Sequence, residues 1–303
     1  MKGKDLLSIA DLKSEDIKGL IASATRLKQG GGKNLLEGKI LALIFEKPSL
    51  RTRVSFDVAM KQLGGDAIYL SQAEVGLGQR EPISDVARVL SRYVDGIVAR
   101  TFSHKSVELL AQHATVPVIN GLSDEEHPCQ VLSDLLTIYE KKSRLEGLTL
   151  AYIGDANNVA NSLLLACPLV GMEFRIASPQ GYEPREKILA QARKMGGKGQ
   201  IHYSQDPKKA TTGADVIYTD VWTSMGQEAE AERRRKAFAG YQVDVELLAL
   251  AKKDAIFMHP LPAHHGEEIA EGLLDLPQSV VFDQAENRLH MQKAILVKLL
   301  GAL

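Results

Sequence analysis

Charge of either sign is in no surplus along this chain: 37 Lys and Arg stand against 38 Asp and Glu, a formal net charge of −1 over 303 residues. That balance removes the electrostatic case for a nucleic-acid partner and for an anionic membrane surface. Cysteine is nearly missing. The only two, Cys129 and Cys167, exclude a disulfide framework, suit a reducing compartment and fall in no metal-ligand spacing. Long apolar runs are missing as well. None approaches the ~20 residues of a bilayer-spanning helix, and the first residues lack an apolar signal core. A soluble, cytoplasmic protein is expected. There is no internal repeat and no low-complexity tract. What is present is enough length to bury a large core and predict about two domains.

Short apolar runs alternate with amphipathic ones. Ile40-Leu41-Ala42-Leu43-Ile44-Phe45 is unbroken apolar sequence of strand length, the pattern of a strand buried on both faces of a parallel sheet. Further strands are expected at 67–70, 96–99 and 116–119, and helices at 83–93 and 107–113. Pro128 opens another helix, which buries Val131, Leu132, Leu135 and Leu136. The charged break at 140–144 reads as a domain boundary. A second series follows, with strands at 148–153, 174–177, 216–218, 255–258 and 280–282 and a final helix from about Gln284 to Leu300. Two open parallel sheets wound by helices follow from this alternation. Domain bounds are expected at 1–140, joined by 284–303, and at 141–283. The polar segment 71–82 reads as a functional loop.

Beyond the first strand and Pro48, a helix opens at Ser49-Leu50-Arg51-Thr52-Arg53. Arginines in a first helical turn add charge to an end already made positive by free N–H groups and the macrodipole. An anion resolves the conflict, and a phosphate suits the hydroxyls, N–H groups and both guanidiniums converging there. The alternative is a solvated helix start, with Ser49 as cap and the arginines splayed outward. Other polar residues also follow strand ends: Arg100, His127 with Gln130, Asp155 with Asn158, Asp220 with Ser224, and His259. In doubly wound sheets ligands bind outside the carboxyl ends of the strands, so one cleft between the two domains is expected.

At these residues the chain resembles the carbamoyltransferase family, on its ornithine-using side. Ser49 to Arg53 is similar to the family's Ser-Thr-Arg-Thr-Arg loop, and His127-Pro128-Cys129-Gln130 to its His-Pro-x-Gln motif. Asp155 to Ser162, Asp220 with Ser224-Met225-Gly226, His259 to Pro262 and Glu286-Asn287-Arg288 fall in the family's order. The resemblance implies transfer of a carbamoyl group from carbamoyl phosphate to the δ-amine of L-ornithine, giving citrulline and phosphate. It implies that Ser49, Leu50, Arg51 and Thr52 hold the phosphate and that Arg100, His127, Gln130 and the carbonyls of Pro260 and Leu261 hold the carbamoyl end. Arg288 assists them, and Arg100, His127 and Thr52 stabilise the developing oxyanion. Asn158, Asp220, Ser224 and Met225 would hold the amino-acid head of ornithine. Gln79, in the 71–80 segment, would contact the phosphate of a neighbouring subunit in a homotrimer or a multiple of trimers. No cofactor, metal, nucleic acid or membrane is implied. Two positions depart from the family wording: Leu50 replaces a threonine, and Pro260 replaces the cysteine usual in ornithine enzymes. Aspartate, putrescine and N-acylated ornithine stay open as acceptors.

Other readings carry less. Gly154-Asp155-Ala156-Asn157-Asn158 lacks the glycine series of a dinucleotide site. Cys129 and His127 are two apart on a helix and do not face each other as a nucleophile pair. His264, His265, Glu267 and Glu268 lack a spaced zinc ligand set. Arg233 to Lys236, with Glu228, Glu230 and Glu232 upstream, reads as a solvated ion-paired face. A non-catalytic protein that kept the fold and the anion loop is the rival outside enzymes.

Overall fold

The computed structural model describes residues 1–195, 200–224 and 226–301. The chain divides into two units, Met1–Leu136 with Glu286–Leu303, and Thr137–Ala285. In the first unit α1 (Ser14–Lys28) precedes β1 (Ile40–Phe45), α2 (Leu50–Gln62), β2 (Asp66–Ser71), α3 (Gln72–Val75), α4 (Ile83–Leu90), β3 (Gly96–Arg100), α5 (His104–His113), β4 (Val118–Leu122) and α6 (Pro128–Lys142). The strands form one sheet in the order β2-β1-β3-β4, all parallel. β1 and β3 are its centre and are buried almost throughout, as their unbroken apolar sequence demands.

The order reverses between β1 and β3, the switch point at which a doubly wound sheet opens a crevice beyond its strand ends. The loops after these two strands are tied together. Glu46 N–H donates to the Arg100 carbonyl at 2.8 Å, and the Glu46 carboxylate accepts from Phe102 N–H at 2.8 Å. The ladder between β3 and β4 slips by one residue at Ala99/Arg100, a bulge that re-aims the side chain at the strand end.

The second unit runs β5 (Thr149–Ile153), α7 (Asn158–Leu169), β6 (Glu173–Ala177), α8 (Glu186–Met195), β7 (Ile201–Ser204), α9 (Pro207–Thr211), β8 (Val216–Thr219), α10 (Ala231–Ala237), α11 (Val245–Leu248) and β9 (Ile256–Met258). Its sheet has the order β7-β6-β5-β8-β9, again parallel, with the switch point between β5 and β8. α12 (Val281–Leu300) ends the fold, and its residues from Glu286 onward belong to the first unit. There Lys293 Nζ donates to the Leu27 carbonyl and to Gln62 Oε1, each at 3.1 Å. Gly96 admits it: a Cβ at that position would sit 2.8 Å from a Leu300 methyl.

Three local expectations are corrected. Residues 280–282 are not a strand; Gln284 N–H closes a helical turn on the Val280 carbonyl at 2.8 Å, and only Ser279 bridges Phe257. An apolar trio is too short to distinguish strand from helix by period. The strand position goes instead to β7, whose residues are exposed or half-exposed at the sheet edge and so lack an apolar signature. The 71–82 segment begins with the one-turn α3, closed by Gly76 in the left-handed conformation (φ 54°). Among the described residues no helix is long and apolar enough to cross a membrane.

Candidate active site

In the first unit, Ser49 is the N-cap of α2, its Oγ accepting Thr52 N–H at 3.2 Å. A hydroxyl that accepts there keeps its own proton available for a ligand. Leu50, 76% exposed, gives the site only its backbone N–H. Thr52 is buried and its Oγ1 accepts from Arg288 Nη2 of α12 at 2.5 Å. Arg51 is half-buried. Arg53 departs from the expected convergence: it is exposed and stacks on Tyr69 of β2, its guanidinium carbon 3.8 Å from the ring centroid. Such a contact is worth roughly 0.5–1 kcal/mol at an exposed position and turns that charge to a different task.

Arg100, at the end of β3, has its pKa lowered to about 10 by burial and then by Arg288 and Arg51, both cations. Its Nε is buried without a hydrogen-bond acceptor. His127 is 5% exposed, and burial, Arg288 and Arg100 hold its pKa well below the ordinary 6.5; its ring is therefore a neutral donor at pH 7. Gln130, on the first turn of α6, donates its amide to Asp134 at 2.9 Å, while its Oε1 is buried without a donor. Cys129 is buried, its Sγ 3.5 Å from the Asn120 carbonyl, and burial pushes its thiol up to about 12, so it is no nucleophile. Gln79 is exposed in the turn after α3.

The resulting cluster of Arg51, Arg100, Arg288 and neutral His127 at the β1/β3 switch point has one clear chemical use. Three guanidiniums crowded together in partial burial raise the energy of the empty site, and a small multivalent anion lowers it. The depressed His127 pKa also has a consequence for stability. The folded ring binds a proton less tightly than the unfolded one, so the contribution is full above pH 6.5 and is lost as pH falls from there toward the folded value. His127→Asn should show a shallower fall in Tm than the parent between pH 6.5 and 5. Parallel Tm curves across that window would contradict a neutral buried ring.

In the second unit the corresponding loops follow β5 and β8. Gly154 has φ 143°, which only glycine takes freely, and leads into Asp155, Ala156 and Asn157. Asn157 caps α7, its Oδ1 accepting from Val159 N–H (2.9 Å) and Ala160 N–H (3.1 Å), and its Nδ2 donates to Asp220 Oδ2 at 2.7 Å. Asn158 is half-buried in the first turn. Asp220 is 8% exposed, and its Oδ1 accepts from Val221 N–H at 2.8 Å. Burial raises its pKa; His259, Asn157 and the Val221 N–H pull it back, while Glu268 adds to the rise. Ser224 opens a turn in which its N–H donates to Gln227 Oε1 at 3.0 Å. Met225 lies outside the described residues.

The loop after β9 is a further strand-end loop of the second unit. His259 is fully buried, its Nε2 3.2 Å from Glu268 Oε1 and its Nδ1 accepting from Leu261 N–H at 2.9 Å. Pro260 is buried, and Leu261 takes φ 57°, a left-handed conformation that costs a branched residue roughly 1–3 kcal/mol. His264, Glu267 and Glu268 do come together, with ligand-type atoms within 4.8 Å of one another, which their sequence spacing concealed. These carboxylates already have other partners: Glu268 has His259 and the His264 N–H, and Glu267 has Arg235 at 3.7 Å.

Arg234 is the residue whose role the sequence concealed most. It is 6% exposed rather than solvated, with Nη1 bonded to Asp155 Oδ2 (2.7 Å) and the Trp222 carbonyl (2.9 Å), and Nε to Glu230 (3.0 Å). It therefore fastens the loop after β5 to the loop after β8. The i,i+4 spacing to Glu230 pointed to that single pair; nothing local separated Arg234 from its three basic neighbours.

Comparison with known proteins assigns relatives to both units. Residues 4–140 match the family described as aspartate/ornithine carbamoyltransferase, carbamoyl-P binding domain, and residues 146–299 match its Asp/Orn binding domain. The ornithine carbamoyltransferase of Anoxybacillus flavithermus is 54% identical over 306 residues, covering 99% of this chain and 98% of that protein. The anabolic ornithine carbamoyltransferase of Pyrococcus furiosus is 53% identical over 309 residues, covering 100% and 98%. A solved structure of the Pyrococcus furiosus ornithine carbamoyltransferase superposes with TM-score 0.95 at 52% identity, covering 100% of this chain and 98% of that one. The anabolic enzyme of Campylobacter jejuni superposes with TM-score 0.93 at 39% identity, covering 98% of each.

Proposed function

This chain belongs to the aspartate/ornithine carbamoyltransferase family, and from that membership we propose how its residues divide one reaction. It is a carbamoyltransferase that moves the carbamoyl group of carbamoyl phosphate to the δ-amine of L-ornithine, giving L-citrulline and phosphate. Relatives named as anabolic favour the direction of arginine biosynthesis.

Residues 1–140 with 284–303 form the carbamoyl phosphate domain, and 141–283 the ornithine domain. The phosphate is held by Ser49 Oγ, the Leu50 N–H, Arg51 and Thr52 at the start of α2. Arg100, neutral His127 and Thr52 donate to the carbamoyl oxygen, where negative charge builds as the amine attacks. Arg288 keeps Thr52 Oγ1 supplied with a hydrogen bond, so the threonine proton is free for that oxygen. The carbamoyl NH2 donates to Gln130 Oε1 and to the carbonyls of Pro260 and Leu261, which fixes its plane. Asp220 pairs with the α-ammonium of ornithine, and Asn158, Ser224 and the Met225 N–H receive its carboxylate. The δ-amine gives one proton to solvent and attacks the carbamoyl carbon; the tetrahedral adduct then breaks its C–O bond to phosphate, which takes the second proton from the attacking nitrogen and departs with its charge matched by arginines.

The observation that carries this reading is the crowding of Arg51, Arg100 and Arg288 round a neutral histidine and an unused amide oxygen. Carbamoyl phosphate matches that set group by group: an anion, a carbonyl acceptor and an NH2 donor. A cytoplasmic location fits two buried cysteines that form no disulfide. A homotrimer, or a multiple, fits Gln79, which is exposed on its own chain and free to serve a neighbour's phosphate. Purified protein incubated with carbamoyl phosphate and a panel of amines should yield citrulline from ornithine in preference to products of aspartate, putrescine or N-acylated ornithine, with light scattering giving a trimer or its multiple. Carbamoyl phosphate binding without any carbamoylated product would leave a binding protein on the same fold.

A further inference from the structure

We infer that Glu268 is a positioning residue of this reaction, acting through the His259 ring to fix the turn whose backbone carbonyls orient the carbamoyl group. The inference rests on the reading that the Pro260 and Leu261 carbonyls receive the carbamoyl NH2.

Glu268 and His259 are both 0% exposed, and neither takes part directly in the chemistry above. Burying a carboxylate is costly unless it is bonded; here Oε2 has no hydrogen-bond partner among the described residues, so the bonds at Oε1 are what hold the group in place. Oε1 of Glu268 faces His259 Nε2 at 3.2 Å and accepts the His264 N–H at 2.5 Å. A single oxygen thus joins the two ends of the 259–264 loop. Because a carboxylate only accepts, the ring proton facing Glu268 stands on Nε2, and Nδ1 presents a lone pair. That lone pair accepts the Leu261 N–H at 2.9 Å. The bond holds Leu261 in the left-handed conformation, φ 57°, that a branched residue does not adopt unaided. The start of the turn is fixed separately, His259 N–H donating to Gln284 Oε1 at 2.9 Å and Gln284 Nε2 to the Tyr218 hydroxyl at 3.1 Å.

Without Glu268 only the Leu261 N–H still favours the proton on Nε2, and the acceptor that fixes it there is gone. The other tautomer sets N–H against the Leu261 N–H, and the turn relaxes away from the geometry that presents its carbonyls. Displacements of about 1 Å in such groups cost on the order of 100-fold in rate. The effect falls on the carbamoyl end and not on the phosphate end, which Arg51 and Ser49 hold in the first unit.

The test compares Glu268→Ala and Glu268→Gln with the parent, measuring kcat, KM for both substrates and the inhibition constant of inorganic phosphate. Glu268→Ala should lower kcat by roughly 100-fold while phosphate inhibition stays within about threefold. Glu268→Gln, whose amide oxygen still accepts both N–H groups, should recover most of the lost kcat. If Glu268→Ala does not fold, Glu268→Asp, shorter by one methylene, should show the same split between kcat and phosphate inhibition. A kcat within about threefold of the parent in Glu268→Ala or Glu268→Asp, or loss of phosphate binding in step with kcat, overturns the inference. A parent protein that makes no citrulline fails at the earlier reading instead, so the two failures are told apart.

Discussion

Arg51→Ala should lower kcat/KM for carbamoyl phosphate by roughly 10²–10³-fold and weaken inhibition by inorganic phosphate to the same extent. Arg51 stands half-buried in the first turn of α2, where helix N–H groups and its own guanidinium address the same anion. Truncating one partner of a desolvated charge pair costs about 3–5 kcal/mol, and each 1.4 kcal/mol is tenfold. The same substitution relieves a strain in the empty protein, because Arg51 is one of the two cations that depress Arg100. Binding should therefore collapse without a matching collapse of thermal stability, an outcome that global unfolding cannot produce. Phosphate inhibition and Tm measured on the same preparation decide the matter. Near-parent affinity would mean the anion is held elsewhere, and a large fall in Tm would mean Arg51 supports the fold instead.

The loop that carries this prediction was readable because its residues contradict their local setting. Arginines suit helix C-termini, so a pair in a first turn calls for a partner, and here Arg53 finds Tyr69 while Arg51 stays beside Arg100. The strand ends were readable for a similar reason, since Ile40 to Phe45 and the strands beside it are apolar runs that stop abruptly at polar residues. What stayed hidden had no local conflict to expose it. Arg53 and Arg51 look equivalent in one dimension, yet Tyr69 of β2 claims the first. Arg234 looks like one member of a basic run, and becomes a buried tie only because the loops after β5 and β8 bring Asp155 and Trp222 to it, beside Glu230 one turn before it. Glu268 read as one polar residue of a loop without a spaced zinc ligand set, and it took the folded loop to show His259 and the His264 N–H meeting one of its oxygens. The 280–282 trio was misread because three apolar residues carry no period. Asn157, one residue before Asn158, gave no local sign of its task, which is to cap α7 and donate to Asp220.

Asp220→Ala should lower kcat/KM for ornithine by about 30-fold to several thousandfold, while phosphate inhibition stays within about threefold of the parent. The range follows from the 2–5 kcal/mol lost when one member of a buried, hydrogen-bonded charge pair is removed. Asp220 is the charge that selects the amino-acid head. Its two oxygens each already accept one N–H, from Asn157 at 2.7 Å and Val221 at 2.8 Å, which fixes the carboxylate plane and leaves lone pairs for an α-ammonium. Burial raises its pKa, so the charged form carries a desolvation penalty that an incoming ammonium offsets. The sign for pH follows: ornithine affinity is full above the raised value and falls as acid protonates Asp220, while the alanine variant loses that acid limb. Discrimination gives a further readout. Putrescine has no α-ammonium or carboxylate, so the parent's preference for ornithine over putrescine should shrink sharply in Asp220→Ala, because only the favoured substrate loses a partner. Equal losses for ornithine and phosphate would mean that Asp220 supports the whole fold and not the amino-acid site.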